Sequence, residues 1–90
     1  MTENDKLLLE AQQASERKDT MRALTASDEL LRRDPSNVDA MFIAGTAFMT
    51  NGHEGVASIL LNAARCATKD PIKLGPIWNN LGYAMQEYQP

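Results

Sequence analysis

From Asp34 to Pro71 the chain reads DPSNVDAMFIAGTAFMTNGHEGVASILLNAARCATKDP, two apolar-periodic stretches that meet at Asn51-Gly52 and lie between two Asp-Pro pairs. Met41, Ala44, Gly45 and Phe48 recur at the three- and four-residue spacing of one helix face. Ala57, Leu60, Leu61 and Ala64 repeat that spacing beyond the turn. Helices this short are marginal alone in water, so each face has to be buried against a neighbour. Ala44, Gly45, Ala57 and Ala64 let two backbones approach closely and leave slots for a neighbour's Phe or Leu. The stretch therefore predicts a helical hairpin that stacks on others of its kind.

The rest of the chain supplies those others. A backward shift that sets Leu7 on Met41 also sets Ala11 on Gly45, Ala14 on Phe48, Ala23 on Ala57 and Leu30 on Ala64. A slightly longer forward shift sets Trp78 on Met41, Leu81 on Ala44, Gly82 on Gly45 and Met85 on Phe48. A period of about 34 residues with one helix–turn–helix per unit is the mark of one repeat class. Trp78-x-x-Leu81-Gly82 in the last unit carries it, as does Ala44-Gly45…Phe48…Gly52…Ala57…Leu61…Ala64 in the middle one. On these residues the chain resembles the tetratricopeptide repeat (TPR) family over nearly its whole length. The resemblance implies an all-α hairpin array of about two and a half repeats, a short solenoid of five antiparallel helices. Its units would span 4–37, 38–74 and, in part, 75–90. The first unit departs from the family pattern, with Glu10, Lys18 and Ser27 where a large apolar residue, Gly and a large apolar residue are preferred.

Ninety residues allow one small domain. A net charge of −3 and a pI near 5.0 give no basic surface for nucleic acid. No apolar run is long enough to cross a membrane, and no basic-then-apolar secretory start is present. The lone Cys66 has no partner for an internal disulfide, which points to a reducing compartment and a cytoplasmic location.

In chain order, Thr2 is expected to cap a first helix reaching about Arg17, with Glu3 and Asp5 in its first turn. The turn Lys18-Asp19-Thr20 has neither Gly nor Pro and follows only from the repeat register. A second helix runs from about Thr20 to Arg33. Ser36 with Asp39 reads as a capping box for the third helix, which Asn51-Gly52 ends. The fourth helix covers about Glu54–Ala67. A longer connection, Thr68 to Pro76, then leads to a fifth helix of about Pro76–Tyr88 with Pro76 as its first residue. No strand is expected.

Candidates for chemistry are few. His53 is the only His and has no second ligand at metal-binding spacing, so it reads as a loop residue. Cys66 lacks a nearby base and reads as a small residue packed between helices. Asp28–Arg32 and Glu29–Arg33 have the acid-first i, i+4 order of a solvated helix face. Gly52-x-x-Gly55 is too short and lacks the strand that a phosphate loop follows. These residues predict no enzyme, no cofactor and no metal.

What remains is surface. In TPR proteins the first helix of each unit lines a concave groove that takes an extended or helical peptide. Carried over by register, the resemblance implies a groove of Leu8, Gln12, Phe42, Ile43, Thr46, Met49, Asn79, Asn80 and Tyr83. An apolar centre with a few polar groups for orientation suits a protein or peptide segment; the alternative role for Phe42 and Ile43 is packing between helices. A binder that ignores this groove is expected instead on the second-helix face near Asp28 and Arg32. TPR clamps that hold a C-terminal carboxylate use Lys and Asn on the first helix, Asn on the third and Lys and Arg on the fifth. The matching residues here are Leu8, Gln12, Ile43, Pro76 and Asn80, none a cation, so an acidic tail finds no partner.

Trp78, Leu81 and Met85 fall at i, i+3 and i+7 on the fifth helix. They are expected to form an association stripe, part of it packed back on the fourth helix near Leu60, Leu61 and Ala64 and the rest uncovered. Its cover would be a second copy, making a homo-oligomer, or another protein. The overall expectation is a protein-interaction scaffold. Its rivals are the accessory segment of a larger enzyme extending beyond Pro90 and a self-assembling structural protein.

Overall fold

The computed structural model describes residues 1–88 and contains five helices: α1 (Glu3–Glu16), α2 (Thr20–Arg33), α3 (Val38–Thr50), α4 (Glu54–Ala67) and α5 (Pro71–Tyr88). Gln89 and Pro90, the end of the expected third unit, lie outside the described residues. No strand occurs among the described residues. Each helix packs on the one before it, and connections of three or four residues make successive helices antiparallel. The odd-numbered helices also touch in a row, α1 with α3 and α3 with α5, whereas α2 and α4 make no contact with each other. The result is an all-α hairpin array measuring 43 × 28 × 20 Å.

The helix ends explain why the chain turns where it does. Thr2 caps α1 in a capping box, its hydroxyl accepting from the Asp5 N–H at 3.1 Å while Asp5 Oδ2 accepts from the Thr2 N–H at 3.2 Å. The two hairpin turns are built alike. After α3 the Gly52 N–H donates to Met49 O at 3.1 Å and the His53 N–H to Phe48 O at 2.8 Å, with Gly52 at φ +83°. After α1 the Lys18 N–H donates to Ser15 O at 3.1 Å and the Asp19 N–H to Ala14 O at 2.8 Å, with Lys18 at φ +63°. Both are Schellman closures, and they fall at the same place in successive units. Lys18 thus fills the place of a glycine at the steric cost that any residue with a Cβ meets in the left-handed region. Asp19 then caps α2 through the Arg22 N–H at 3.2 Å.

Two expected boundaries are corrected. The cap of α3 is Asn37 and not Ser36: Asn37 Oδ1 accepts from the Ala40 N–H at 2.9 Å. Asn37 is itself held in the turn, its Nδ2 donating to Asp34 Oδ2 at 3.2 Å, while the Ser36 hydroxyl is turned onto the Asp34 carboxylate. The fifth helix begins at Pro71 and not at Pro76. Asp70 accepts from the Ile72 N–H at 3.0 Å, and Pro71 takes the first helical position, where no N–H is needed. Pro76 lies inside the helix. A proline disfavours helical geometry in the residue before it partly through that residue's Cβ, and Gly75 has none. The long connection expected up to Pro76 is therefore only Thr68 to Asp70.

The core is built mainly from alanine. Ten of the fifteen apolar residues buried among the described ones are Ala, so the helices approach nearly backbone to backbone. Leu30, Leu61 and Ile77 are the large apolar side chains wholly enclosed. One cluster gathers Ala11, Ala14, Ala23, Ala26 and Ile43, and a second gathers Ala57, Leu61, Leu81 and Ala84. The even helices repeat their buried positions in the same register: Ala23 and Ala57, Ser27 and Leu61, Leu30 and Ala64. A Cβ on Gly45 would stand 2.9 Å from Leu61 Cγ, so the tight contact of Gly45 in the middle hairpin is with Leu61. One unit earlier stand Ala11 and Ser27, larger where Gly45 is small and smaller where Leu61 is large, and both are fully buried. The Ser27 hydroxyl is satisfied by donating to Ala23 O at 2.7 Å. Glu10, the other departure in the first unit, pairs with Arg22 at 2.8 Å across the α1–α2 hairpin; being exposed, that pair contributes little.

Two substitutions test this packing by urea or thermal unfolding. Lys18→Gly relieves the left-handed strain and should raise stability by about 0.5–1 kcal/mol. Gly45→Leu should lower it by about 1–3 kcal/mol or more through overpacking against Leu61. A Gly45→Leu protein that melts with the parent would refute the hairpin register.

Candidate functional site

The odd-numbered helices present one continuous face, and Phe42 sits at its middle. Between α1 and α3 lies a recess of about 390 Å³ lined by Gln12, Ser15, Glu16, Asp39, Phe42 and Ile43. Between α3 and α5 lies one of about 200 Å³ lined by Val38, Asp39, Phe42, Ile72, Lys73, Pro76 and Ile77. Asp39 and Phe42 belong to both, so the recesses form a track across three helices. Asp39 accepts from Lys73 Nζ at 3.3 Å and Asn80 Nδ2 donates to Thr46 Oγ1 at 3.0 Å, two bonds that fix α5 against α3. Asp39 therefore orients the middle of the track rather than standing as a free charge.

The residues predicted for a groove divide into four groups. Phe42 and Met49 are half-buried against the second core cluster, and Leu8 packs likewise on the first. Ile43 is a core residue, 6% exposed, and only its edge reaches the α1–α3 recess. Gln12, Asn79 and Tyr83 are exposed, Tyr83 at 60%. Thr46 and Asn80 are half-buried and bonded to each other. Thr46 borders a separate small recess of about 160 Å³ with Ser15, Lys18 and Ala47. Ile72 lies on the track and is 83% exposed, the largest exposed apolar side chain there. The sequence reading passed over it because it placed residues 68–76 in a loop.

The stripe expected on α5 is corrected at its centre. Leu81 is 4% exposed and packs with Ala57, Leu61 and Ala84, so it belongs to the α4–α5 core and not to an open surface. Trp78 and Met85 remain outside, at 54% and 47%. The Arg65 guanidinium of α4 lies 5.1 Å from the Trp78 ring centroid, a cation–π contact that steadies the exposed ring. Arg65 is in turn held by Asn62, whose Oδ1 accepts from its Nε at 3.0 Å and from its Nη2 at 2.8 Å.

A third surface takes in Asp28 of the second-helix face expected as the alternative, but its α4 wall was not foreseen. Because α2 and α4 stay apart, a cleft of about 560 Å³ opens between them, floored by Ala44 and Phe48 of α3. Leu24 and Leu31 form the α2 wall and Val56, Ile59 and Leu60 the α4 wall, with Thr25 and Asp28 at the rim. Ile59 is 71% exposed and Val56 45%. The one available signal was that Val56 and Ile59 lie off the Ala57–Leu61–Ala64 face of α4 and find no partner in the periodicity.

The candidates for chemistry fall into structural places. His53 packs edge-on against Phe48, ring centroids 6.1 Å apart and planes at 77°, as the apolar contact that completes the Schellman turn. Cys66 is exposed and does not pack between helices as expected; two residues beyond Ala64, it points away from the buried face. Asp28–Arg32 at 3.1 Å and Glu29–Arg33 at 3.3 Å form the two i, i+4 pairs on the surface of α2. No group of His, Cys, Asp and Glu suited to a metal ion occurs among the described residues, and no described helix is long and apolar enough to cross a membrane. No protein-family model, no curated protein and no solved structure matches the chain.

Proposed function

We propose that this chain is a TPR-like protein-interaction module that holds a segment of a partner protein along the face of α1, α3 and α5. The observation that carries the reading is the position of Phe42, half-buried yet shared by two neighbouring recesses. A partner placing an apolar side chain on either side of Phe42 buries it fully, and Gln12, Asn79 and Tyr83 lie close enough in register to orient the segment's polar backbone. The TPR-like character is supported by the two Schellman turns and by the buried triads of α2 and α4, which recur at matching places in successive units. The same reading covers an adaptor in a longer chain or a scaffold acting alone.

A second reading has its own observation. The α2–α4 cleft is larger than either recess of the odd-helix track, and Ile59 stands exposed in its wall. It suits an apolar helix rather than a polar extended segment.

A displayed peptide library selected on the wild-type chain separates the two. Peptides bound on the odd-helix face should lose on the order of tenfold affinity or more with Phe42→Ala and with Tyr83→Ala, and little with Ile59→Asp. Tyr83→Ala, changing an exposed side chain, should leave the melting temperature nearer the parent than Phe42→Ala does. Peptides that ignore Phe42 and Tyr83 but are lost on Ile59→Asp would place binding in the α2–α4 cleft. Selection of no peptide at all would count against an interaction module.

A further inference from the structure

The exposed side of α5 carries a pattern that the odd-helix track does not use. Pro71, Gly75, Trp78, Gly82 and Met85 succeed one another at alternating steps of four and three residues, which is one straight line along a helix, and all five are exposed. A Cβ added to Gly75 or Gly82 would meet nothing within 4 Å. At Gly45, which holds the position of Gly82 one unit earlier, the same atom would run into Leu61 of the following helix. The chain thus shows what such a face accommodates: a helix crossing close over the glycine. On α3 that helix is α4, and on α5 the slot is open among the described residues.

We propose that the slot is filled by α5 of a second copy, running antiparallel about a two-fold axis near Asn80. The line on α5 is self-complementary. Along the line, small and large residues alternate as Gly75, Trp78, Gly82, Met85, and reversal about Asn80 exchanges 75 with 85 and 78 with 82. Each Trp78 then lies over Gly82 of the other copy, and each Met85 over Gly75. A parallel pairing would set Trp78 on Trp78 and glycine on glycine, with crowding at one level and a gap at the next. No charged residue stands on the line, so doubling it brings no like charges together. Arg65 beneath the Trp78 ring holds that side chain in place before association, which lowers the ordering cost. Two tryptophans and two methionines make a small interface by the standard of stable complexes, so the dimer should be weak and concentration-dependent. The contact is isologous and closes on itself, giving a dimer and not a filament. It is independent of what binds the odd-helix face.

Sedimentation velocity on the chain, from low micromolar concentration upward, tests the proposal, with Trp78 emission as a second readout. The parent should pass from monomer to dimer as concentration rises, and its emission should shift to the red on dilution. Gly82→Trp sets Trp against Trp and should abolish the dimer. Because nothing in the monomer lies near position 82, it should do so without lowering the melting temperature. Trp78→Gly alone should also abolish the dimer, by leaving the slot unfilled. Combining Trp78→Gly with Gly82→Trp exchanges large for small on both helices and should restore it. A parent that stays monomeric at every concentration overturns the proposal, as does a dimer that survives Gly82→Trp. Failure of the double variant to recover overturns the antiparallel register. Loss of the dimer with Ile59→Asp, but not with Gly82→Trp, would show that copies meet through the α2–α4 cleft instead.

Discussion

The structure depends on how closely its helix backbones approach. Gly45 lies directly under Leu61, and most of the enclosed residues around it are alanines. Close approach multiplies dispersion contacts between backbones, each small, and leaves little interior room for large side chains. Those side chains are displaced to the rims of the array. Phe42, Phe48, Met49, Leu24 and Leu31 are all half-buried, covering the core with one side and bordering a recess with the other. The surfaces that invite a partner and the core that holds the fold are consequences of the same economy of volume.

Much of this was legible in the residues. Alternating three- and four-residue apolar steps identified five helices, and the repeat register placed Ala23, Ala57, Leu30 and Ala64 on buried faces. What escaped was local chemistry that competes with periodicity. Asp-Pro reads equally well as the end of one helix and the start of the next, and the choice at residues 70–71 rests on the Asp70 carboxylate accepting from Ile72. Pro76 reads as a boundary unless the missing Cβ of Gly75 is weighed. Lys18 conceals a glycine-type turn because the hydrogen bonds of the Schellman closure offset its steric cost.

The candidate surfaces were legible to different degrees for a physical reason. A face made by adjacent helices follows from register, and register put Gln12, Phe42 and Ile43 on the odd-helix track while missing its other lining residues. A cleft made by two helices whose backbones stay apart leaves little signature in either one, and of the α2–α4 opening only Asp28 on α2 and the unpartnered Val56 and Ile59 on α4 could be read from the sequence. On α5 the apolar pattern was plain, but which of its residues turn inward depended on the crossing with α4. That crossing takes Leu81 inside and leaves Trp78 and Met85 out.

The row of touching odd helices and the untouching even pair also determine how the array deforms. With contacts on one side only, α1, α3 and α5 act as a spine, and α2 and α4 as leaves attached to it. Splaying or closing the leaves changes the curvature of the spine without breaking a contact between them, because there is none to break. The restoring force comes chiefly from the apolar walls of the opening, Leu24 and Leu31 facing Val56 and Ile59, which gain by drawing together. Along the spine itself Asp39–Lys73 and Thr46–Asn80 tie neighbouring helices, and no such bond joins the leaves among the described residues. An object wedged between the leaves would rest on Ala44 and Phe48 of α3, the same helix whose Phe42 borders both recesses of the other face.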